Sequence, residues 1–343
     1  MKYLKELKNK NLKDKVCLLR LDFNAEDNWR MEASMPTIKF LLNRCKAVVI
    51  LSHKGRPEGF EKALSLEKTG KILSKKLNKK LVFISHFRFK EIKDLIISSP
   101  KGSLFLLENL RFLDEEEQNN QTLAEHLAFL GDFYVNDAFA VCHRANASVV
   151  AIAKLLPSYA GLELESEIKN LSKAIKNPKK PLVAILGGLK IKDKLAVVKN
   201  LNNKASVFLI GGALTPKLLN LKLPKVIWPV DFRKEKGVIR DIGPKSKELF
   251  CQEILKAKTV IWNGPLGNIL DKRFQDGTNS VAWCLANRSQ AFKIIGGGET
   301  VMFLRKIKLD KKIDFISTGG GAMLDFLAGK KLPGIEALEN NNL

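Results

Sequence analysis

The sequence predicts an α/β protein of two doubly wound parallel-sheet, Rossmann-like domains, joined by a hinge helix across a cleft. Three observations carry that expectation. Short apolar runs alternate with helical stretches along all 343 residues, the pattern of βαβ units and a mainly parallel sheet. Four of the six apolar runs of the second half end in glycine and a fifth in a Gly-Pro turn, whereas those of the first half end in polar or cationic residues. A polar helical stretch, Glu163 to Ile175, closed by Asn177 and Pro178, separates the halves.

In the first half the expected strands are Val16 to Asp22, Ala47 to Leu51, Leu81 to Ile84, Ser103 to Leu107 and Phe133 to Val135. The expected helices are Pro36 to Cys45, with proline near the start, Ser65 to Leu77, and Glu115 to Leu130. In the second half the strands are Leu182 to Leu186, Val207 to Ile210, Val226 to Trp228, Thr259 to Trp262, Phe292 to Ile295 and Phe315 to Ser317. The expected domains are 1–158 and 177–325, with 159–176 as the hinge.

In open parallel sheets ligands bind beyond the carboxyl ends of the strands. The glycines Gly187-Gly188, Gly211-Gly212, Gly296-Gly297-Gly298 and Gly319-Gly320-Gly321 should therefore gather on one crevice, where bare backbone can approach phosphate. Lys190 and Lys194 follow the first pair at helical i,i+4 spacing, at the start of a helix that suits an anion. This is not a P-loop, because no Gly-Lys-Ser/Thr follows four spacer residues. In the first half the same rule gathers His53, Arg56, Arg111 and Arg144, with Arg30. Arginines pair bidentately with carboxylate and phosphate, so the set suits a small, multiply charged anion. No Ser-His-Asp set, metal-ligand cluster or nucleophilic cysteine stands out, which fits phosphoryl transfer by positioning and charge neutralisation.

The net charge is +23, a balance that favours anionic partners. The excess is spread over both halves, no aromatics interleave it, and no nucleic-acid module is recognisable. It reads as a solvated lysine surface, and nucleic acid is not an expected partner. No apolar stretch approaches ~20 residues, so no membrane span is expected. The lysine-rich N-terminus has no apolar core, unlike a signal peptide. Five scattered cysteines, Cys17, Cys45, Cys142, Cys251 and Cys284, read as reduced thiols in a cytoplasmic protein.

The chain resembles the phosphoglycerate kinase family over nearly its whole length. The resemblance rests on Arg20-Leu-Asp-Phe-Asn24, Ser52-His-Lys-Gly-Arg-Pro57, Leu107-Glu-Asn-Leu-Arg-Phe112, His143-Arg-Ala-Asn-Ala-Ser148, Ala184-Ile-Leu-Gly-Gly-Leu-Lys190, Trp262-Asn-Gly-Pro265 and Ile316-Ser-Thr-Gly-Gly-Gly-Ala322. It implies reversible phosphoryl transfer between 1,3-bisphosphoglycerate and ADP, giving 3-phosphoglycerate and ATP in glycolysis. The enzyme would be a cytoplasmic, Mg²⁺-dependent monomer.

The resemblance assigns phosphoglycerate to the first domain, on Asp22, Asn24, Arg30, His53, Arg56, Arg111 and Arg144. It assigns the nucleotide to Lys190, Lys194, Gly211, Gly212, Asn263, Gly296, Gly297, Gly298, Glu299 and Thr300, with Glu299 also serving the metal. Arg30, Lys190, Gly297 and Gly320 would surround the group in transfer. Domain closure would bring the substrates in line, and residues from about 326 to 343 would pack back on the first domain.

The departures fall mostly on the nucleotide side. The segment between Leu214 and Asp241 is short, and the segment before Arg30 is compressed. Leu270 stands where the family has a glutamate that binds the ribose hydroxyls. Glu299 replaces an aspartate, and Ala213 replaces a third glycine. The alternative they leave open is a non-catalytic phosphoglycerate-binding relative with weakened nucleotide binding.

Overall fold

The computed structural model describes residues 1–25, 28–218 and 223–343. Part of the compressed segment before Arg30 and part of the short 214–241 segment lie outside these residues. The chain divides into two compact units, Met1–Ser166 with Lys331–Leu343, and Glu167–Lys330.

The first unit carries strands β1 (Lys2–Tyr3), β2 (Val16–Arg20), β3 (Ala47–Leu51), β4 (Val82–Ile84), β5 (Ser103–Leu107), β6 (Phe133–Asn136) and β7 (Ser158–Ala160). They form one sheet in the order β1-β7-β6-β2-β3-β5-β4, and every pairing is parallel. Its helices are α1 (Trp29–Leu42), α2 (Glu67–Leu77), α3 (Phe89–Ser98), α4 (Asp114–Glu117) and α5 (Gln121–Ala128). All residues of β2 and β3 are buried, as expected of central strands covered on both faces. Leu19, Leu21, Val48, Ile50 and Leu106 centre the core, against Ile38 and Leu41 of α1.

Helix α6 (Leu162–Lys176) begins in the first unit and ends in the second. The boundary falls inside it, at Ser166/Glu167, rather than at its two ends. Its start is capped from a distance: Asp137 Oδ1 accepts the N–H groups of Glu163 at 2.9 Å and Leu164 at 3.0 Å.

The second unit carries β8 (Leu182–Leu186), β9 (Val207–Ile210), β10 (Val226–Ile227), β13 (Thr259–Asn263), β14 (Phe292–Gly296) and β15 (Phe315–Ile316). Their sheet is also parallel, in the order β10-β9-β8-β13-β14-β15. A separate antiparallel hairpin joins β11 (Phe232–Glu235) to β12 (Val238–Ile242). The helices are α7 (Ile191–Leu201), α8 (Thr215–Leu218), α9 (Pro244–Lys256), α10 (Asp276–Asn287), α11 (Gly298–Lys306) and α12 (Gly321–Leu327). Trp262, Ile185, Leu209, Ile295 and Phe250 lie in its core. The last helix, α13 (Pro333–Glu339), belongs to the first unit, where Gly334 N–H donates to the Cys142 carbonyl at 2.9 Å.

The expected alternation is therefore present twice, with local differences. Helix α1 starts at Trp29, so Pro36 lies inside it. Burial of Trp29 and Met31 anchors the turns before the proline, offsetting the backbone bond that proline gives up. The cysteine expectation needs correction: Cys251 of α9 and Cys284 of α10 form a disulfide with Cα atoms 6.0 Å apart. The other three cysteines, Cys17, Cys45 and Cys142, are buried and outside any disulfide.

Candidate active site

In the first unit the carboxyl ends of β2, β3, β5 and β6 gather all seven residues expected to bind the acid. Arg30, in the first turn of α1, donates through Nη1 to Asp22 Oδ2 at 3.0 Å and to the Asn24 carbonyl at 3.1 Å. Asn24 Oδ1 accepts the Gly55 N–H at 2.8 Å, and the Gly55 carbonyl accepts from Arg111 Nη1 at 2.6 Å. Arg56 and Arg111 line a cavity of about 320 Å³. Arg111 is buried while Arg56 is exposed.

His53 is buried beside them. Burial pushes its pKa well below the ordinary value, and Arg20, Arg111 and Arg144 push the same way against Asp22. Burial alone would raise Asp22, but Arg30, the Asn24 N–H and Arg20 hold its carboxyl below the usual range. The pocket thus combines fixed guanidinium charge with a neutral imidazole.

Two acidic partners of this pocket show in the sequence only as helix. Glu117 lies 3.0 Å from Arg111 Nε and 4.0 Å from Arg144 Nη1. Glu116 is buried against Arg20 and Ser148. Their run of four acids in α4 resembles a solvated helix face, so periodicity gives no sign of either contact.

In the second unit a crevice of about 350 Å³ opens at the carboxyl ends of β8, β13 and β14. Among the residues lining it are Lys190, Lys194, Asn263, Gly297, Glu299 and Gly320. The two lysines differ despite their i,i+4 spacing. Lys190 is the N-cap residue of α7 and is exposed, whereas Lys194 is buried. Lys194 Nζ donates to the Asn263 carbonyl at 2.9 Å and to Asn263 Oδ1. Burial lowers its pKa to about 7.

The glycines divide by purpose. A Cβ on Gly187 would meet the Pro265 carbonyl oxygen at 2.1 Å, and one on Gly264 would meet the Gly187 carbonyl oxygen at 2.2 Å. These two let the strand-end turns pack on each other. A Cβ on Gly296 would meet Met323 Sδ at 2.1 Å. Gly211 and Gly212 pack on Leu266 and are not among the residues lining the crevice. Gly298 is the first residue of α11, and a methyl added there would have nothing within 4 Å, so its backbone faces open space. Thr300 is buried, and its hydroxyl oxygen accepts the Gly264 N–H at 3.1 Å.

Among the described residues no group of three or more His, Cys, Asp or Glu could hold a metal. That does not conflict with Mg²⁺, which takes one or two carboxylates and completes its shell with phosphate oxygens and water. Glu299, exposed in the first turn of α11, is a carboxylate lining the same crevice as Lys190. No helix among the described residues is long and apolar enough to cross a membrane.

The family model described as Phosphoglycerate kinase matches residues 7–227 and 220–330. The chain belongs to the phosphoglycerate kinase family. The phosphoglycerate kinase of Dictyoglomus turgidum is 38% identical, the alignment covering 99% of each chain, and that of Thermosipho africanus is 38% identical over 96% of each. The solved phosphoglycerate kinase of Pyrococcus horikoshii superimposes with a TM-score of 0.89 at 29% identity, covering 99% of this chain and 98% of that one. That of Coxiella burnetii gives 0.82 at 33%, covering 97% and 98%. The alignment with the Dictyoglomus kinase runs over 392 residues against 343 in this chain, so this kinase is a compact variant. The two stretches of the family match meet within the short 214–241 segment. Nothing in these findings supports a non-catalytic relative.

Proposed function

We propose that this phosphoglycerate kinase binds 3-phosphoglycerate or 1,3-bisphosphoglycerate on the arginine pocket of the first unit and ADP or ATP on the crevice of the second. One observation carries the reading. A pocket of arginines, from buried Arg111 to exposed Arg56, around a neutral histidine, and a glycine-lined crevice with two lysines, sit at the carboxyl ends of two separate parallel sheets.

Arg111, Arg144, Arg56 and His53 hold and orient the acid, with Asp22 and Asn24 fixing Arg30. Arg30 is drawn from Asp22 to the phosphoryl group as charge develops there, and Lys190 offsets charge from the nucleotide side. The N–H groups of Gly297, Gly298 and Gly320 face the phosphate chain. Glu299 would hold Mg²⁺ together with the nucleotide, and the ion would supply charge neutralisation of the phosphates. Transfer is direct and in line, with no covalent enzyme intermediate. The two sets of residues belong to different units, so the substrates meet through closure about α6, which excludes water that would hydrolyse the acyl phosphate. The protein acts as a cytoplasmic monomer in glycolysis.

The test is a coupled assay of 3-phosphoglycerate with MgATP, beside Arg30→Ala and Lys190→Ala. Each variant should lose at least about a hundredfold in kcat, the scale of removing one charge-stabilising donor. A wild type no faster than the two variants would overturn the reading.

A further inference from the structure

Arg20 ends β2 among the substrate arginines and is itself 1% exposed. Its guanidinium is spent on protein partners. Nε donates to Ser148 Oγ at 2.7 Å, and Nη1 donates to the Leu21 carbonyl. Nη2 lies 3.1 Å from His53 Nδ1 and 3.6 Å from Glu116 Oε1. Glu116, also 1% exposed, accepts the Ser148 hydroxyl at 2.6 Å and the Ser148 N–H at 2.9 Å. Tyr134 Oη donates to the Ser148 carbonyl at 2.8 Å. The chain Glu116–Ser148–Arg20–His53 is closed to solvent.

A guanidinium has donors and no acceptor. His53 Nδ1 must therefore present its lone pair to Arg20, which leaves the ring proton on Nε2. We propose that Arg20 is a positioning residue for acid binding: held by Glu116 and Ser148, it locks His53 as the neutral Nε2–H tautomer, the form that donates to the acid. The inference rests on the reading of His53 as a phosphoglycerate ligand. The charged groups acting on His53 are Asp22, Arg20, Arg111 and Arg144. Three of the four are cations, so a doubly protonated ring would face Arg20 donor to donor within a positive pocket. A neutral donor binds an oxyanion without titrating across the physiological range, so binding by His53 becomes insensitive to pH where histidine ordinarily switches.

The test is long-range ¹H–¹⁵N NMR of the histidine side chains in the full-length protein. The chain has four histidines, and the spectrum of His53→Gln assigns the signal. The expected result is an unprotonated Nδ1 and a protonated Nε2 that persist across about pH 5–8. An Nδ1–H tautomer, or titration near the ordinary histidine value, overturns the proposal. Arg20→Lys keeps the charge opposite Glu116 but loses the fork. It should mix the tautomers and raise KM for 3-phosphoglycerate about tenfold or more, leaving KM for MgATP unchanged. Ser148→Ala should do the same more weakly, and it serves if Arg20→Lys does not fold. A purely structural Arg20 would lower Tm in these variants without moving the tautomer, and that outcome also overturns the proposal. Adding 3-phosphoglycerate to the wild type separates the two layers. If the tautomer is as stated but the His53 signals do not shift, the assignment of His53 to the acid fails while the Arg20 lock stands.

Discussion

Lys194 reaches across from α7 to Asn263 at the end of β13, its Nζ 2.9 Å from the Asn263 carbonyl oxygen. Burial is the largest influence on this amine and brings its pKa to about 7, while Asp193 and Glu299 resist the shift and Lys190 adds to it. An ADP phosphate chain in the crevice would favour the ammonium. Nucleotide binding at about pH 8 should therefore take up close to one proton. Calorimetry in two buffers of different ionisation enthalpy measures it. Lys194→Met should abolish the uptake, and zero uptake in the wild type would count against this role for Lys194. The same group shapes stability. Its folded-state pKa lies below the unfolded value of 10.5, so between about 7 and 10.5 the unfolded chain holds more protons. Stability contributed by this site rises with pH through that window and is lowest below it.

The crevice glycines include a packed position, Gly187, and an open one, Gly298, proposed to face phosphate. Gly187→Ala would drive a methyl into the Pro265 carbonyl oxygen, at 2.1 Å. A lowered Tm is expected, with a cost of about 1–3 kcal/mol. Gly298→Ala meets nothing within 4 Å and sits at the start of α11, where alanine is well tolerated. Its Tm should stay close to the wild type while KM for MgATP rises, because the methyl occupies space meant for phosphate. Equal effects of the two substitutions on stability would contradict this division.

Asp137 sets up α6 through Gly161. A Cβ at position 161 would lie 2.2 Å from Asp137 Oδ1, the oxygen that caps Glu163 and Leu164. Gly161→Ala should cost about 1–3 kcal/mol, in the range of a lost helix cap or a forced backbone shift, read as a fall in urea midpoint. Burial raises the Asp137 carboxyl to about 6 against the pull of Thr37 and the two backbone N–H groups. A raised folded pKa favours the protonated native state, so this residue's contribution is fully present below the unfolded value of 3.8. It declines as pH rises to about 6. Asp137→Asn should flatten that decline.

The disulfide between α9 and α10 closes a 33-residue separation. Chain-entropy reasoning gives a stabilisation of about 3–4 kcal/mol for such a loop. Alkylation in denaturant without reductant should label three thiols, those of Cys17, Cys45 and Cys142. Reductant should raise the count to five and lower Tm. Five labelled thiols before reduction would show the pair is not joined.

Much of the architecture is legible because it depends on local pattern. Apolar runs such as Leu182 to Leu186 announce buried parallel strands, and glycine after them announces the ligand end of the sheet. What stays hidden depends on tertiary context. Cys251 and Cys284 meet only because α9 and α10 pack together. Helix α1 runs through Pro36 because Trp29 and Met31 are buried ahead of it. The β11–β12 turn uses Lys236 and Gly237, both at positive φ, and a lysine there gives a weaker hairpin signal than asparagine would. In the site, residue type locates the arginines and lysines, but pattern cannot tell buried Lys194 from exposed Lys190. Nor can it join Glu116 to Arg20, because a buried ion pair and a solvated acidic run look alike in one dimension.

Leu270 is 87% exposed, an apolar side chain left in water with no packing to justify it. The resemblance to the phosphoglycerate kinase family implies a glutamate at this position that takes the ribose hydroxyls, and leucine cannot accept those bonds. Because Leu270 supports nothing in the core, Leu270→Glu should leave Tm unchanged. A restored charge-assisted hydrogen bond contributes roughly 1.5–3 kcal/mol, so ADP affinity should rise about tenfold or more, with KM for 3-phosphoglycerate unaltered. A ribose-free triphosphate used as a control should gain nothing. If both nucleotide and control bind more tightly, or neither does, Leu270 is not at the ribose, and the compact 214–241 region has moved the adenosine elsewhere.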